Sequence, residues 1–532
     1  MDSASHIFLV HGDLLRIACD ARMVPCGDRF RPDRTTWFPD APPGWQPRSR
    51  EVDGAPAVRL VANWPPEGYP AGAATPWLVA VVGDWETPHL LVERAEQFVR
   101  AAARELRSGT SAVRLARRER PLLAMPLLGT GRGGAAQHAG AVVAQLLPRL
   151  QRVATEERVD VALVLYEADK YAAAVRVRNE SLGADPARWP VALAAHEVAA
   201  AHEVAARAQR QQLVLFLGAG VSIGAGLPSW DGLLTRLAEA EGVIAADDDI
   251  GRQRFERLNP LDRARLIEVE LQRRGETVVA ALRRVFDEHP YPSLAHTLLA
   301  MLPCNEVVTT NYDRLFERAC AGRRRRILSL PWESSDEPHP WLLKLHGCLD
   351  HPEDLVFTRS DYLRYDERRS ALKGIVQAML MTRWMLFVGF SMNDDNFHRM
   401  VEDVRKARAH GGPESAGRGR FGTTLMLRRD AILDRLWGAD LQQVSLADPA
   451  RPGEDNPAAR RLEVWLDYVA QEASPARIRL LDARFDPLLT APERELRDAL
   501  AKLRDEASAE VRRTAGWALV QQLLEQLGGG DG

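Results

Sequence analysis

Four apolar runs in the middle of the chain each end in residues suited to chemistry. Leu213–Leu217 runs into Gly218-Ala219-Gly220-Val221-Ser222-Ile223-Gly224-Ala225-Gly226-Leu227-Pro228-Ser229-Trp230. The run ending at Thr310 is followed by Asn311-Tyr312-Asp313, the run ending at Leu345 by His346-Gly347, and the run ending at Val388 by Gly389-Phe390-Ser391-Met392-Asn393-Asp394. A purely structural sheet leaves its strands more often through generic turns. In the first segment, Gly218 and Gly220 let the backbone approach a pyrophosphate, whose charge the amides of the next helical turn stabilise. The spacing is not the dehydrogenase Gly-x-Gly-x-x-Gly, because Ile223 takes the third glycine's place and Gly224 comes one residue late. A second loop of this kind, Gly129-Thr130-Gly131-Arg132-Gly133-Gly134, separates an apolar run from a helical pattern nearer the N-terminus. Its amides offer a second diphosphate site.

These residues need elements to position them. Apolar runs at Leu213–Leu217, Glu306–Thr310, Trp341–Leu345, Met385–Val388, Thr423–Leu427 and Gln442–Leu446 alternate with helical spacing at Trp230–Ala240, Arg263–Glu288 and Asp395–Ala409. That alternation predicts a parallel, doubly wound α/β sheet over residues 211–470. In such a sheet ligands bind beyond the carboxyl ends of the strands, where the four segments lie. Residues 1–185 read as a separate α/β unit, with strands at Ile7–Val10, Trp77–Val82, Leu122–Leu128 and Val161–Tyr166. Its helices are expected at Leu91–Leu106, Ala135–Arg152 and Ala168–Arg178. The Pro/Trp-rich stretch from Arg31 to Pro76 is expected to be an ordered insertion, since its tryptophans favour burial. Residues 186–210 read as a solvated linker helix with a duplicated HEVAA, and residues 471–532 as an all-helical segment.

Composition narrows the function class. The chain has 532 residues, 46% of them hydrophobic and 27% charged, which is globular composition and excludes a disordered or collagen-like chain. Lys plus Arg is 70 and Asp plus Glu 73, a net charge of −3 that gives no general reason to expect nucleic acid or an acidic membrane as partner. The basic residues are nearly all Arg, a compositional bias rather than a phosphate signal. Arg323–Arg326 is accordingly expected to be a solvated loop. The five cysteines include no Cys-x-x-Cys pair, which argues against a disulfide scaffold and a four-cysteine zinc site. His196 and His202 are six residues apart, about 240° around a helix, so they do not share a metal. Asp247-Asp248-Asp249 lacks the calcium-loop spacing and is expected at a helix N-terminus or in a loop. Without a basic leader or an apolar run of membrane-spanning length, the expectation is a soluble cytoplasmic protein.

Taken in order, the four segments resemble the sirtuin family. LVLFLGAGVSIGAGLPSW looks like its first NAD-binding segment, TTNYD like its TQNID segment and KLHG like its catalytic His-Gly. VGFSMNDDNF is similar to a segment of bacterial sirtuin-like proteins of antiphage defence. The resemblance covers residues 213–400. It implies a Rossmann-like fold in which Asn311 and His346 are catalytic, and in which Gly218, Ala219, Gly220, Ser222, Asp313, Gly389, Ser391 and Asp394, together with His346, contact NAD. Two departures point away from the protein-deacylating branch. Only Cys348 follows His346, and Ser229-Trp230-Asp231 stands where Asp-Phe-Arg is usual after the Gly-x-Pro. Both point toward the NAD-hydrolysing branch seen in Thoeris-type effectors, with NAD as substrate and no metal. The chemistry fits. Cleaving the nicotinamide–ribose bond passes through an oxocarbenium-like state; a His accepts a ribose hydroxyl proton while an Asn carboxamide orients the hydroxyl or the attacking water.

The N-terminal unit, through VHGDLLRIACDARMVPC, RPLLAMPLLGTGRGGAAQHAG and VDVALVLYEADKYAAAV, resembles a macro domain, a binder of ADP-ribose. That resemblance implies Asp13 facing adenine, and Gly129, Thr130, Gly131, Gly133 and Gly134 around the phosphates. Val24-Pro25-Cys26 stands where the family carries Val-Asn-Ala-Ala-Asn, so the ligand implied is a relative of ADP-ribose. The expectation is an NAD+ hydrolase that depletes NAD in antiphage defence, gated by an ADP-ribose-like signalling nucleotide made by a partner enzyme, and acting as a homo-oligomer. The alternative is a non-catalytic NAD or ADP-ribose sensor acting through partners.

Overall fold

In a computed structural model the chain forms two seven-stranded sheets wrapped by helices. The structure describes residues 4–528 except 71, 82–87, 110–117, 130–134, 184, 246–247, 410–418, 448–450, 452 and 477–478. The expected Thr130, Gly131, Gly133 and Gly134 therefore lie outside the described residues.

The second sheet contains β8 (Leu213–Leu217), β9 (Glu306–Thr309), β10 (Leu328–Leu330), β11 (Trp341–Lys344), β12 (Trp384–Val388), β13 (Gly422–Met426) and β14 (Leu441–Ser445). Their order is β10-β11-β9-β8-β12-β13-β14 and every pairing is parallel. All five residues of β8 are buried, as a central parallel strand covered on both faces requires. The register decides where the chemistry ends up. Leu217 pairs with both Thr309 and Val388, and Thr309 with Lys344, so the four expected segments leave the sheet at one level. The chain passes from β8 to one side through β9 and returns to the other through β12, which puts a topological switch point beside Gly218.

The first sheet contains β1 (Ile7–His11), β2 (Ala21–Cys26), β3 (Ser49–Glu51), β4 (Val58–Val61), β5 (Thr75–Ala80), β6 (Leu122–Pro126) and β7 (Asp160–Leu165), in the order β1-β7-β6-β2-β5-β4-β3. It is parallel from β1 to β5; β4 and β3 complete it antiparallel. The Pro/Trp-rich insertion is ordered, as its tryptophans suggested. Trp45 and Trp64 pack on Phe38 at ring distances of 5.3 and 5.8 Å, over Val24 and Leu78.

Two expectations from the sequence are corrected. The helix Ala195–Gln209 is no solvated linker: Ala200, Ala201, Val204, Ala205 and Ala208 are buried. Small alanines let it lie close against the helix Asp455–Ala473, where His202 meets the Tyr468 hydroxyl at 2.6 Å. The run Arg323–Arg326 is solvated only in part: Arg324 and Arg326 are exposed, while Arg323 and Arg325 are half-buried. Arg323 donates to the Ala300 carbonyl and to His11 Nδ1 (3.0 Å), Arg325 to the Ala300 and Leu302 carbonyls, and Arg324 to the Tyr166 hydroxyl at 2.7 Å. Unpaired carbonyls at the end of the helix Leu294–Ala300 attract guanidinium donors, so a run that looks hydrophilic becomes a clamp. Asp248 does cap a helix, accepting from the Gly251 amide at 2.8 Å.

The helix Asp455–Ala473 runs across the expected boundary at residue 470 and returns to the first unit. Arg460 forks onto Asp160 of β7 at 2.7 Å twice, and Asp467 meets His6 at 2.8 Å and Arg178 at 2.6 Å. One hydrophobic core contains Phe8 and Leu163 of the first sheet, Leu215 and Val307 of the second, and Val464 and Trp465 of this helix.

Candidate active site

Beyond the carboxyl ends of the second sheet lies a cavity of about 720 Å3. Its lining runs from His346 beyond β11, past Asn311, Asp313, Ala219, Gly220, Ser222, Gly389, Ser391 and Asp394, to Gln443 on β14. Five strand steps of ~4.8 Å make this lining roughly 24 Å long. Of the residues expected to hold NAD or to react with it, all but Gly218 line this cavity.

Gly218 and Gly220 serve a close backbone contact. A Cβ on Gly218 would stand 2.5 Å from the Gly389 carbonyl oxygen, and one on Gly220 would stand 2.6 Å from Gly389 Cα. Gly389 has φ +65°, and a Cβ there would meet the Val221 nitrogen at 2.3 Å. The three glycines let the β8 and β12 exits dock backbone to backbone. The Gly220 amide donates to the Gly389 carbonyl (2.9 Å), Val221 to Gly218 (3.2 Å) and Ser222 to Ala219 (3.0 Å). The turn expected to cradle a pyrophosphate thus spends these amides on its own closure.

Asn311 follows β9. Its Nδ2 donates to the Gly218 carbonyl at 3.0 Å and to Ser222 Oγ at 3.3 Å. A carboxamide has two N–H donors, and both are used. The polar atom Asn311 has left to offer the cavity is its carbonyl oxygen, an acceptor for a hydroxyl or a water.

Ser222 lines the cavity but is almost fully buried. Its hydroxyl donates to Asp313 Oδ2 at 2.8 Å, receives from Asn311, and lies 3.4 Å from His296 Nε2. One donor and two acceptor positions are all a hydroxyl has. Asp313 in turn accepts from the Leu315 amide with Oδ1 (2.9 Å), which starts the helix Leu315–Gly322. Beneath it the fully buried Lys344 donates to the Asp313 carbonyl and pairs with Glu317 at 3.0 Å.

His346 leaves β11 into the cavity with 6% of its surface exposed. Its Nε2 is 3.4 Å from Asp394 Oδ2, which also accepts from the Tyr362 hydroxyl at 3.0 Å. Burial holds the imidazole below its ordinary pKa, against the upward pull of Asp394. A neutral imidazole beside a carboxylate turns its N–H toward it, leaving the other ring nitrogen as a base. Asp394, expected among the NAD contacts, is thus first of all the partner of His346. Ser391 is exposed at the cavity wall.

Reading the sequence missed His296, Tyr362 and Lys344. His296 carried no motif signal, and Tyr362 reaches Asp394 only through the tertiary fold. Lys344 stood in plain view inside KLHG.

The two N-terminal residues that fall within the structure are placed as follows. Asp13 follows β1 and caps the turn Leu14–Arg16, accepting from the Leu15 amide at 2.9 Å. Gly129 follows β6 with φ +71°, and a Cβ there would meet Leu91 Cδ1 at 2.7 Å. Both lie at the carboxyl edge of the first sheet, where the second unit's Gly322 packs against Asp13 and Arg16.

Comparison with known proteins agrees with the strand-exit reading. The family model for the SIR2-like domain matches residues 305–431. Over 207 residues the chain is 28% identical to the NAD(+) hydrolase ThsA of Enterococcus faecium, covering 37% of this chain and 41% of that protein. It is 27% identical over 206 residues to the NAD(+) hydrolase ThsA of Bacillus cereus, covering 37% and 40%. It is 25% identical over 218 residues to defense-associated sirtuin 2 of Bacillus subtilis, covering 38% and 20%. The matches thus span less than half the length of these relatives. A solved structure, Alphavirus P23pro-zbd, aligns with 64% of this chain and 46% of its own at a TM-score of 0.24 and 12% identity, too slight a likeness to argue from. The residues that match the SIR2-like domain thus carry Asn311, Asp313, His346 and Asp394, in a chain with a second α/β unit.

Proposed function

We propose that the chain hydrolyses NAD+ at the nicotinamide–ribose bond, releasing nicotinamide, ADP-ribose and a proton, and that this depletes NAD in antiphage defence. The observation that carries the reading is the polarity of the cavity. Asn311 has both N–H groups tied down and a carbonyl oxygen to spare, and the neutral, carboxylate-oriented His346 lines the same cavity. An acceptor beside a base suits a ribose hydroxyl or a water molecule that must lose a proton as the nicotinamide leaves. The cavity is in the range that buries a nucleotide-sized ligand, and its extent across the strand ends suits a dinucleotide. The names of the relatives from Enterococcus faecium and Bacillus cereus support the same activity.

In this reading the first unit is a macro-like sensor for an ADP-ribose-like nucleotide supplied by a partner enzyme, and the active form is a homo-oligomer. Support comes from the contact between its Asp13 edge and the helix Leu315–Gly322, whose first amide bonds Asp313 in the cavity and whose last residue packs against Asp13. A ligand that prefers one arrangement of that contact shifts the cavity's state; one that binds both equally shifts nothing.

The test is chromatography of NAD incubated with the pure protein, alone and with cyclic or amino-acid-conjugated ADP-ribose. Free nicotinamide is expected in at least one condition, and Asn311→Ala or His346→Ala should lower its rate at least ~100-fold with folding intact. Unchanged NAD under every condition would leave a binding protein rather than an enzyme. Near-wild-type turnover in either variant would remove that residue from the mechanism.

A further inference from the structure

We propose that His296 is a positioning residue that fixes which face Asn311 shows to the substrate, acting through Ser222; the proposal rests on the hydrolase reading above. His296 is 1% exposed and does not line the cavity. It lies in the helix Leu294–Ala300, with Nε2 3.4 Å from Ser222 Oγ and Nδ1 2.7 Å from Ser293 Oγ.

The proton positions follow from counting donors and acceptors. An ionised Asp313 accepts only, so the Ser222 hydroxyl proton points to Asp313 Oδ2 at 2.8 Å. Ser222 Oγ must then accept from both its other neighbours, Asn311 Nδ2 and His296 Nε2. That places the imidazole proton on Nε2. Nδ1 is left as an acceptor, which takes the Ser293 hydroxyl proton at 2.7 Å in preference to the Val221 carbonyl at 3.0 Å, with the Ser293 amide at 3.3 Å. Burial keeps the ring neutral, with its pKa lowered to about 4. The result is a one-way chain, His296 to Ser222 to Asp313, in which each donor strengthens the next.

Asn311 depends on the direction of that chain. With the Ser222 proton pointing away, Asn311 must offer Ser222 an N–H, and its carbonyl oxygen faces the cavity. If the His296 donor is removed, a Ser222 lone pair falls vacant and Oγ is held only by Asp313 and the 3.3 Å contact with Asn311, so the atom that takes the Asn311 N–H is less firmly placed. The carboxamide is then no longer held in one orientation, and its amino face competes for the position where a hydroxyl or water must be accepted. His296 touches none of the reacting atoms, so its loss should slow turnover and leave NAD affinity largely intact.

The test uses the full chain under conditions where the wild type releases nicotinamide. His296→Leu removes the donor, His296→Gln restores an N–H near the Nε2 position, and Ser222→Ala removes the hydroxyl between them. For His296→Leu and Ser222→Ala, kcat is expected to fall at least ~10-fold with KM for NAD within ~3-fold. His296→Gln should recover most of that loss. Unchanged kcat in His296→Leu overturns the proposal. So does a His296→Gln variant as slow as His296→Leu, since packing and not the donor would then be what matters. If the wild type releases no nicotinamide, the hydrolase reading fails by itself. The network is then read from the Asn311 side-chain amide signals in NMR, assigned by their absence in Asn311→Asp. They should shift in His296→Leu and Ser222→Ala but stay close to wild type in His296→Gln; unmoved signals in all three overturn the proposal.

Discussion

Asp394 divides its oxygens between two tasks. Oδ1 accepts from the Phe397 amide at 2.8 Å and starts the helix Asp395–Ala409, while Oδ2 faces His346 and Tyr362. Asn is as good a helix cap as Asp, so Asp394→Asn should keep the helix and remove only the charge. Burial lowers the His346 pKa and Asp394 raises it. The base works in its neutral form, so the acid limb of NAD cleavage should lie below pH 6.5 in the wild type. Without the Asp394 charge it should move lower still, while kcat at about pH 7.5 drops roughly 10-fold as the ring loses its orientation. Initial rates between about pH 5 and 9 check this, spanning both limbs of a bell-shaped profile; an acid limb that moves upward would show that Asp394 does not act on His346.

At the scale of elements, the site depends on two loops that meet without side chains between them. Gly389→Ala places a methyl group 2.3 Å from the Val221 nitrogen at a left-handed φ of +65°. Backbone cannot give way there as a flexible side chain would. The substitution is expected to cost roughly 2 kcal/mol or more and to abolish NAD binding. Gly374 lies inside the helix Tyr365–Thr382, and a Cβ added there would have nothing within 4 Å. Gly374→Ala should be neutral or stabilising by up to ~1 kcal/mol. Thermal melts and NAD titration by calorimetry separate the two; equal effects would mean that the loop contact is not what limits the site.

For the whole molecule, shared packing matters more than the division into units. The core is continuous from Phe8 to Trp465, and the helix Asp455–Ala473 is held to the first unit by Arg460, Glu463 and Asp467. Calorimetry of the full chain is therefore expected to show one cooperative transition rather than two. Buried histidines set its pH dependence. His296 is lowered from 6.5 to about 4 by burial, and His11 to about 4 by burial and Arg323. Between pH 6.5 and 4 the unfolded chain binds protons at these rings and the folded chain does not, so stability falls as pH falls through that window. For the fully buried His296 the loss is on the order of 3 kcal/mol. A melting temperature flat from about pH 7 to about pH 4.5 would contradict this.

What was legible in the sequence follows from local rules. Apolar runs such as LVLFL can be buried only as central strands, and the residues after them must emerge at one sheet edge. That was enough to bring Asn311, Asp313, His346 and Gly389 to one place, and to expect order in the tryptophan-rich insertion. The strands β2, β3, β4 and β10 escaped notice: β3, β4 and β10 have only three or four residues and take their place from the neighbour they pair with, and β2 is interrupted by Arg22 and Pro25. Tertiary structure alone decided which groups were already spoken for. Gly218 and Gly220 serve a loop contact, the Ser222 hydroxyl donates to Asp313 and receives from Asn311, and Asp394 stands 3.4 Å from His346. Arg323, Arg325 and the helix Ala195–Gln209 looked solvated because their composition is polar or small, yet each is a joint. Hydrogen-bond capacity is finite and is spent on whichever partner the fold brings near, and sequence spacing does not record partners tens or hundreds of residues away.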